Sequence, residues 1–246
     1  MKFWKILSNQ IEQTLPDWRD KFLSYKDLKK QLKLITPKPK DPSSKRRRLD
    51  DAEAEGEVTK EVNDFLKLLE LEIDKFNAFF VENEEEYIIK WKELQDRVAW
   101  AKDSNVELMS VGREIVDFHG EMVLLENYSS LNYTGLVKII KKYDKRTGAL
   151  HRLPFIQDVL NQPFFKTDVL NKLVKECEVM LSILFPKNEE TLEQVPKELA
   201  DIQNMENTFI KLTTSALHTL KEIRGGSSTV SIYSLPPLHN EALVED

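Results

Sequence analysis

The spacing of apolar residues along the first 35 positions predicts two short helices. Apolar side chains recur every three or four residues from Phe3 to Leu15, and again from Trp18 to Ile35, which is the spacing of amphipathic helices. Pro16 stands between the two segments, and proline is tolerated in the first turn of a helix. We therefore predict a helical hairpin over residues 2–35.

Two much longer amphipathic segments follow. The first runs from Val62 to Val98 and predicts one helix of about 40 residues, ~60 Å long at the helical rise. The second runs from Leu108 to Tyr143 and contains a stretch of mostly polar and small residues, NYSSLNYTG, at 127–135. There, either Asn132 or Thr134 caps a restarted helix or the helix bends. We expect the two long segments to pack as antiparallel neighbours in a bundle.

The remaining pattern completes an all-α fold, with the hairpin packed on an elongated bundle and smaller C-terminal helices. Apolar spacing predicts helices over 153–161 and 167–185 and a weaker one over 197–223, and no segment alternates with the period of a strand. Composition divides the chain into a helical domain over 1–185, a C-terminal helical extension over 186–224 and a flexible tail over 225–246. A Pro-rich and charged linker at 36–57 interrupts the domain and is predicted to be disordered.

Composition argues against several classes of function. The seven glycines form no phosphate-cradling motif, and the single Cys177 allows neither an internal disulfide nor a CxxC zinc site. The four histidines lack metal-binding spacing, and no set of nucleophile, base and orienting group is visible. The sequence also lacks an apolar run long enough to span a membrane. We predict a protein that is not an enzyme, with no metal, cofactor or membrane association.

Basic residues are concentrated in two segments of an acidic chain whose net charge is −6. In the predicted second helix, Tyr25 and Lys29 stand four positions apart and share one face. Further on, Lys138, Lys141, Lys142 and Lys145 form a single stripe. Like charges at this spacing destabilise a helix by a few tenths of a kcal/mol per pair, and a bound polyanion would offset that cost. The alternative is that both stripes are ordinary solvated surface.

A third basic cluster lies in the predicted linker. Lys45, Arg46, Arg47 and Arg48 are consecutive, and such a run in a disordered segment is typical of a nuclear import signal. The alternative is a solvated charge run. We expect the protein in the nucleus, with the cytoplasm as a second location.

Three sequence segments together resemble the SPX domain over residues 1 to about 185. They are the opening Met1-Lys2-Phe3, then TLPDWRDKFLSYKDLKKQLK, and later LNYTGLVKIIKKYDKRTG. The pair of motifs, YxxxK and a distant KxxKKxxK, is specific, and the absence of an appended catalytic or transport domain is similar to stand-alone plant members. One departure is Trp4, where the family start MKFGK has glycine. The resemblance implies a basic site for inositol polyphosphates formed by Lys2, Tyr25, Lys29, Lys138, Lys141, Lys142 and Lys145.

The resemblance also implies a function. Stand-alone plant members are sensors of phosphate status whose ligand is inositol hexakisphosphate or an inositol pyrophosphate. When ligand-bound, they bind and inhibit a MYB coiled-coil transcription factor of the phosphate-starvation response, which blocks its dimerisation and its binding to DNA. Two alternatives are a helical scaffold and a direct nucleic-acid binder that uses the same lysines. The pI of 5.5 and the lack of a groove-reading motif argue against direct contact with nucleic acid.

Overall fold

The fold is all-α, as predicted. A computed structural model describes residues 3–36, 59–101, 104–185, 213–219 and 221, and within these ranges every regular element is helical. The α-helices are α1 (Phe3–Gln13), α2 (Tyr25–Leu34), α3 (Lys60–Trp100), α4 (Asn105–Thr147), α5 (Arg152–Leu160) and α6 (Asp168–Leu184). Short 3₁₀ turns occupy Pro16–Lys21 and Pro163–Phe165. In the part of the chain so described, no helix has the length and apolar character needed to cross a membrane.

The long helices α3 and α4 form an antiparallel pair around an aromatic core. At one end of the pair, the rings of Phe65 and Tyr143 stack at 5.1 Å. Near the other end, Arg97 makes two hydrogen bonds to the carboxylate of Glu114, at 2.6 and 2.7 Å. Between these points, Tyr128 is fully buried among aromatic rings. Complete burial of one such side chain contributes about 2–3 kcal/mol, so the core fixes the register of the pair.

The second predicted helix is interrupted at residues 22–24, so in this respect the prediction is wrong. Helical structure stops after the turn Pro16–Lys21 and resumes at Tyr25. Side chains of the long helices satisfy the backbone groups of the break: Glu72 accepts from Ser24 N at 2.8 Å and Lys75 donates to Phe22 O at 3.0 Å. Glu72 and Lys75 also pair with each other at 2.8 Å. These tertiary bonds replace the intrahelical bonds that a continuous helix would make.

Helix α4 is continuous through 127–135, so of the two alternatives predicted for this stretch, the restarted helix capped by Asn132 or Thr134 is wrong. Asn132 is fully buried and accepts a hydrogen bond from Leu23 N at 3.0 Å. A Cβ placed on Gly135 would clash with Leu23 Cδ2, so the glycine allows the Leu23 side chain to lie against the helix. The polar and small residues of this stretch therefore form the surface against which the non-helical residues 22–24 pack.

Helix α4 ends at a left-handed glycine. Gly148 has φ of 72° and donates its N–H to Asp144 O, the conformation that commonly terminates helices. We expect Gly148→Ala to lower the free energy of unfolding by about 1 kcal/mol, because a Cβ is unfavourable in this region. Denaturant unfolding measures the change, and Gly148→Asn is the control, since asparagine tolerates this conformation better. Equal stability of wild type and Gly148→Ala would contradict the expectation.

Helix α6 runs antiparallel to α4 and packs against a partly buried carboxyl group of α4, that of Glu126. Burial, with a smaller contribution from the nearby Glu178, raises the pKa of Glu126 to about 6. Glu178 in turn lies 3.4 Å from His119 Nε2. On the same helix, Cys177 is buried and free, and burial raises the pKa of its thiol to about 12.

The raised pKa of Glu126 predicts a pH-dependent stability. Since the folded state holds this proton more tightly than the unfolded state, stability increases as the pH falls from above 6 towards the ordinary carboxyl value of 4.5. We expect Glu126→Gln to stabilise the protein by about 1–2 kcal/mol at pH 7.5, with the difference disappearing below about pH 4.5. Unfolding of both proteins across this range tests it. A stabilisation that does not change with pH would contradict the assignment to Glu126.

Several predicted features lie outside the described residues. These are the greater part of the linker at 36–57, the basic cluster Lys45–Arg48 and the tail at 225–246. Of the weaker helix predicted over 197–223, residues 213–219 and 221 are described and are helical. They lie against α1, where Ser215 and Thr219 donate to the side chains of Gln13 and Gln10 at 2.6 and 2.7 Å.

Candidate anion-binding site

Helix α2 lies beside the last third of α4 and runs in the same direction. The N-terminal contact is the hydrogen bond from Leu23 to Asn132. At the other end, Arg146 donates to the backbone carbonyl oxygens of Lys33, at 2.7 Å, and Ile35. Because both ends of α2 are fixed, the two basic segments predicted from the sequence become neighbours in space.

The first turn of α1 joins the two segments. The Phe3 ring meets the Tyr25 ring edge-on, with the centroids 5.2 Å apart. The ammonium group of Lys138 lies 5.3 Å from the centroid of the same Phe3 ring. One side chain of α1 therefore contacts one predicted site residue on α2 and another on α4.

Burial gives Tyr25 and Lys138 different properties from the exposed lysines around them. Tyr25 is 3% exposed, and burial raises its pKa to about 12, so the hydroxyl keeps its proton at neutral pH and can donate a hydrogen bond. Burial lowers the pKa of Lys138, and the charges of Lys141 and Lys142 lower it further. An anion placed near these ammonium groups would remove that repulsion.

The other lysines of the predicted site are exposed on the two helices. Lys29 lies on α2, and Lys141, Lys142 and Lys145 lie on α4. Among the residues that the structure describes, no carboxylate forms an ion pair with Lys29, Lys142 or Lys145. Lys2 lies outside the described residues. The described site is therefore an open basic face, suited to an anion with several charges.

Two side chains beside Tyr25 were not predicted as site residues. The indole of Trp4 stacks on the Tyr25 ring, with 6.2 Å between centroids and 7° between planes. The ammonium group of Lys26 lies 5.0 Å from the centroid of the Trp4 ring. In the sequence, Trp4 stands out only as the departure from the family start MKFGK, and its position against α2 depends on how the helices pack.

A groove elsewhere on the protein has a different character. It has a volume of about 830 Å³, lies between α3 and α6, and is lined by Trp91, Met180 and Ile183 among others. None of the predicted site residues lines it. Elsewhere too, the described residues include no cluster of three or more His, Cys, Asp or Glu side chains suited to a metal ion.

Comparison with known proteins gives the family. The family sequence model of the SPX domain matches residues 103–159, which include nearly all of α4 and α5. SPX domain-containing protein 1 of Arabidopsis thaliana is 62% identical to this chain, and SPX domain-containing protein 2 of the same plant is 58% identical. A third relative, SPX domain-containing protein 1 of Oryza sativa, is 57% identical. Each alignment covers 100% of this chain and 95% of the relative. With relatives this similar over nearly their entire length, the chain belongs to the SPX domain family.

Proposed function

We propose that this protein is a sensor of phosphate status that binds an inositol polyphosphate or pyrophosphate on the basic face of α2 and α4. The observation that carries the proposal is the contact of Phe3 with both Tyr25 and Lys138. This contact brings together two basic segments that are more than a hundred residues apart. The proposal assigns no catalytic step to the chain, and the ligand is a signal rather than a cofactor.

The mechanism depends on the summed charge of the ligand. Lysine ammonium groups act as point charges that accept many phosphate orientations, and Tyr25 adds a directional donor. An inositol hexakisphosphate can contact several of these groups at once, whereas inorganic phosphate reaches only a few. Binding should therefore be strong for the first, weak for the second and sensitive to salt.

With the ligand bound, the basic face of α2 and α4 then binds a partner protein. We propose that this partner is a MYB coiled-coil transcription factor of the phosphate-starvation response, and that capture prevents the factor from dimerising and binding DNA. The ligand carries more negative charge than the exposed lysines neutralise, so it presents phosphate groups to basic residues of the factor. Such coupling requires that ligand and factor each increase the affinity for the other.

Calorimetry and capture of the factor test the two parts of the proposal separately. Titration with inositol hexakisphosphate should give saturable heat, and inorganic phosphate at the same concentration should give little. Capture of the purified factor should depend on inositol hexakisphosphate. Equal capture without ligand would contradict the coupling, and absence of any binding heat would overturn the sensor itself.

We propose that the protein acts in the nucleus and is also present in the cytoplasm, and that the linker cluster Lys45–Arg48 directs import. Replacing these four residues by alanine in a fluorescent fusion should move the protein out of the nucleus. The matched control replaces four exposed lysines elsewhere: Lys92, Lys166, Lys172 and Lys175. Unchanged nuclear accumulation of the linker variant would refute this role for the cluster.

A further inference from the structure

The contact between Trp4 and Lys26 adds a cation to the candidate site. Lys26 follows Tyr25 in α2 and is exposed, and its ammonium group lies 5.0 Å from the centroid of the Trp4 ring. Trp4 is itself held by stacking on the buried Tyr25. A cation–π contact of this kind contributes about 0.5–1 kcal/mol at an exposed position, enough to favour one position of an otherwise flexible side chain.

Lys26 differs in its surroundings from Lys30, which lies one helical turn further along α2. Lys30 pairs with Asp27 at 2.8 Å. For Lys26, no ion pair occurs with a carboxylate of the described residues. Positions 26 and 29 are three residues apart and therefore neighbours on the helix surface. Lys26 thus has no carboxylate partner among the described residues, contacts the Trp4 ring and neighbours Lys29 on the helix surface.

A row of three aromatic rings with a lysine at each end crosses the site. It begins with Lys26 above Trp4, continues through Tyr25 and Phe3, and ends with Lys138 beside Phe3. Both terminal ammonium groups rest on rings that α1 supplies. Two rings of the same helical turn therefore hold one lysine of α2 and one of α4 at opposite ends of the row.

We propose that Trp4 and Lys26 form an additional phosphate subsite at the α1 edge of the basic face. Lys26 binds a phosphate group of the ligand beyond Tyr25, and Trp4 is a positioning residue that holds the Lys26 ammonium group. The inference deepens the proposed function and rests on it, because the ligand class is the same inositol polyphosphate. Its new content is a ligand-binding residue outside the two lysine motifs.

Calorimetric titration with inositol hexakisphosphate tests the subsite. We expect Lys26→Ala to weaken binding about five- to tenfold and Lys30→Ala to change it less than twofold. The two variants lose the same charge from the same face of the same helix, so they differ in the compensation by Asp27 and in the contact with Trp4. Equal losses would show that only the overall charge matters and would overturn the proposal.

The role of Trp4 requires a measurement that a purely structural role would not affect. Trp4→Leu should weaken binding about fivefold in the wild-type background and less than twofold in the Lys26→Ala background, because its effect passes through Lys26. Trp4→Phe, which keeps a ring below the ammonium group, should restore most of the affinity. Equal effects of Trp4→Leu in both backgrounds would overturn the positioning role. Circular dichroism and thermal unfolding verify that each variant is folded.

The outcomes separate the subsite from the function on which it rests. If wild type gives no heat with inositol hexakisphosphate, the proposed function itself fails. If wild type binds and Lys26→Ala binds equally well, the sensor stands and the subsite is refuted.

Discussion

Replacing Lys29 and Lys142 together by alanine is expected to weaken binding of inositol hexakisphosphate by about 100-fold. The two residues lie on different helices of the basic face, and neither has an ion pair within the described residues. A hydrogen bond to a charged group contributes about 1.5–3 kcal/mol, so the loss of two costs about 3 kcal/mol or more, and 1.4 kcal/mol corresponds to a factor of ten. Calorimetric titration at constant ionic strength measures the change.

The matched control is Lys92→Ala/Lys172→Ala, which removes two exposed lysines that pair with Asp96 and Glu176 on other faces. This variant changes the net charge by the same amount and should retain affinity within about twofold. Equal loss in the two double variants would mean that the net charge, not the basic face, determines affinity. Retained binding by Lys29→Ala/Lys142→Ala would place the ligand elsewhere.

Asn132→Ala is expected to lower the free energy of unfolding by about 3 kcal/mol. The substitution removes the acceptor of Leu23 N from a fully buried position. A buried donor left without a partner costs about 1–3 kcal/mol, and the cavity left by the shortened side chain adds to that cost. Denaturant unfolding followed by circular dichroism measures the change.

Asn171→Ala is the control for this substitution. Asn171 also lies on a helix, but its side-chain hydrogen bond to Thr167 is exposed, so the change should be within about 0.5 kcal/mol. Asn132→Ala should also weaken ligand binding, because the bond it removes fixes the N-terminal end of α2 beside α4. Wild-type stability of Asn132→Ala would contradict the role given to this hydrogen bond.

Local sequence pattern was sufficient for the long helices and for the lysine stripes. The steps of three and four from Val62 to Val98 predict α3 because a long amphipathic helix needs only regular spacing. The stripe at Lys138, Lys141, Lys142 and Lys145 follows from the same periodicity, and the structure places it on the exposed side of α4 with Lys138 half-buried. Its assignment to a ligand remains a prediction.

Features that depend on residues far apart in the sequence could not be predicted from local pattern. The break at residues 22–24 forms because Glu72, Lys75 and Asn132 satisfy its backbone, and these residues are about 50 to 110 positions away. Lys26 was missed for the same reason. The local sequence shows Asp27 three positions before Lys30, but only the packing of α1 on α2 brings Trp4 beneath Lys26.

The hydrogen bond from Leu23 to Asn132 spans 109 positions of sequence, which has a consequence for folding. Contacts this distant form only after a large loop has closed, and they slow folding relative to local helix formation. During synthesis, α2 leaves the ribosome long before the residues of α4 that hold it. The basic face therefore forms late, and a nascent chain acquires affinity for a polyanion only once α4 is complete.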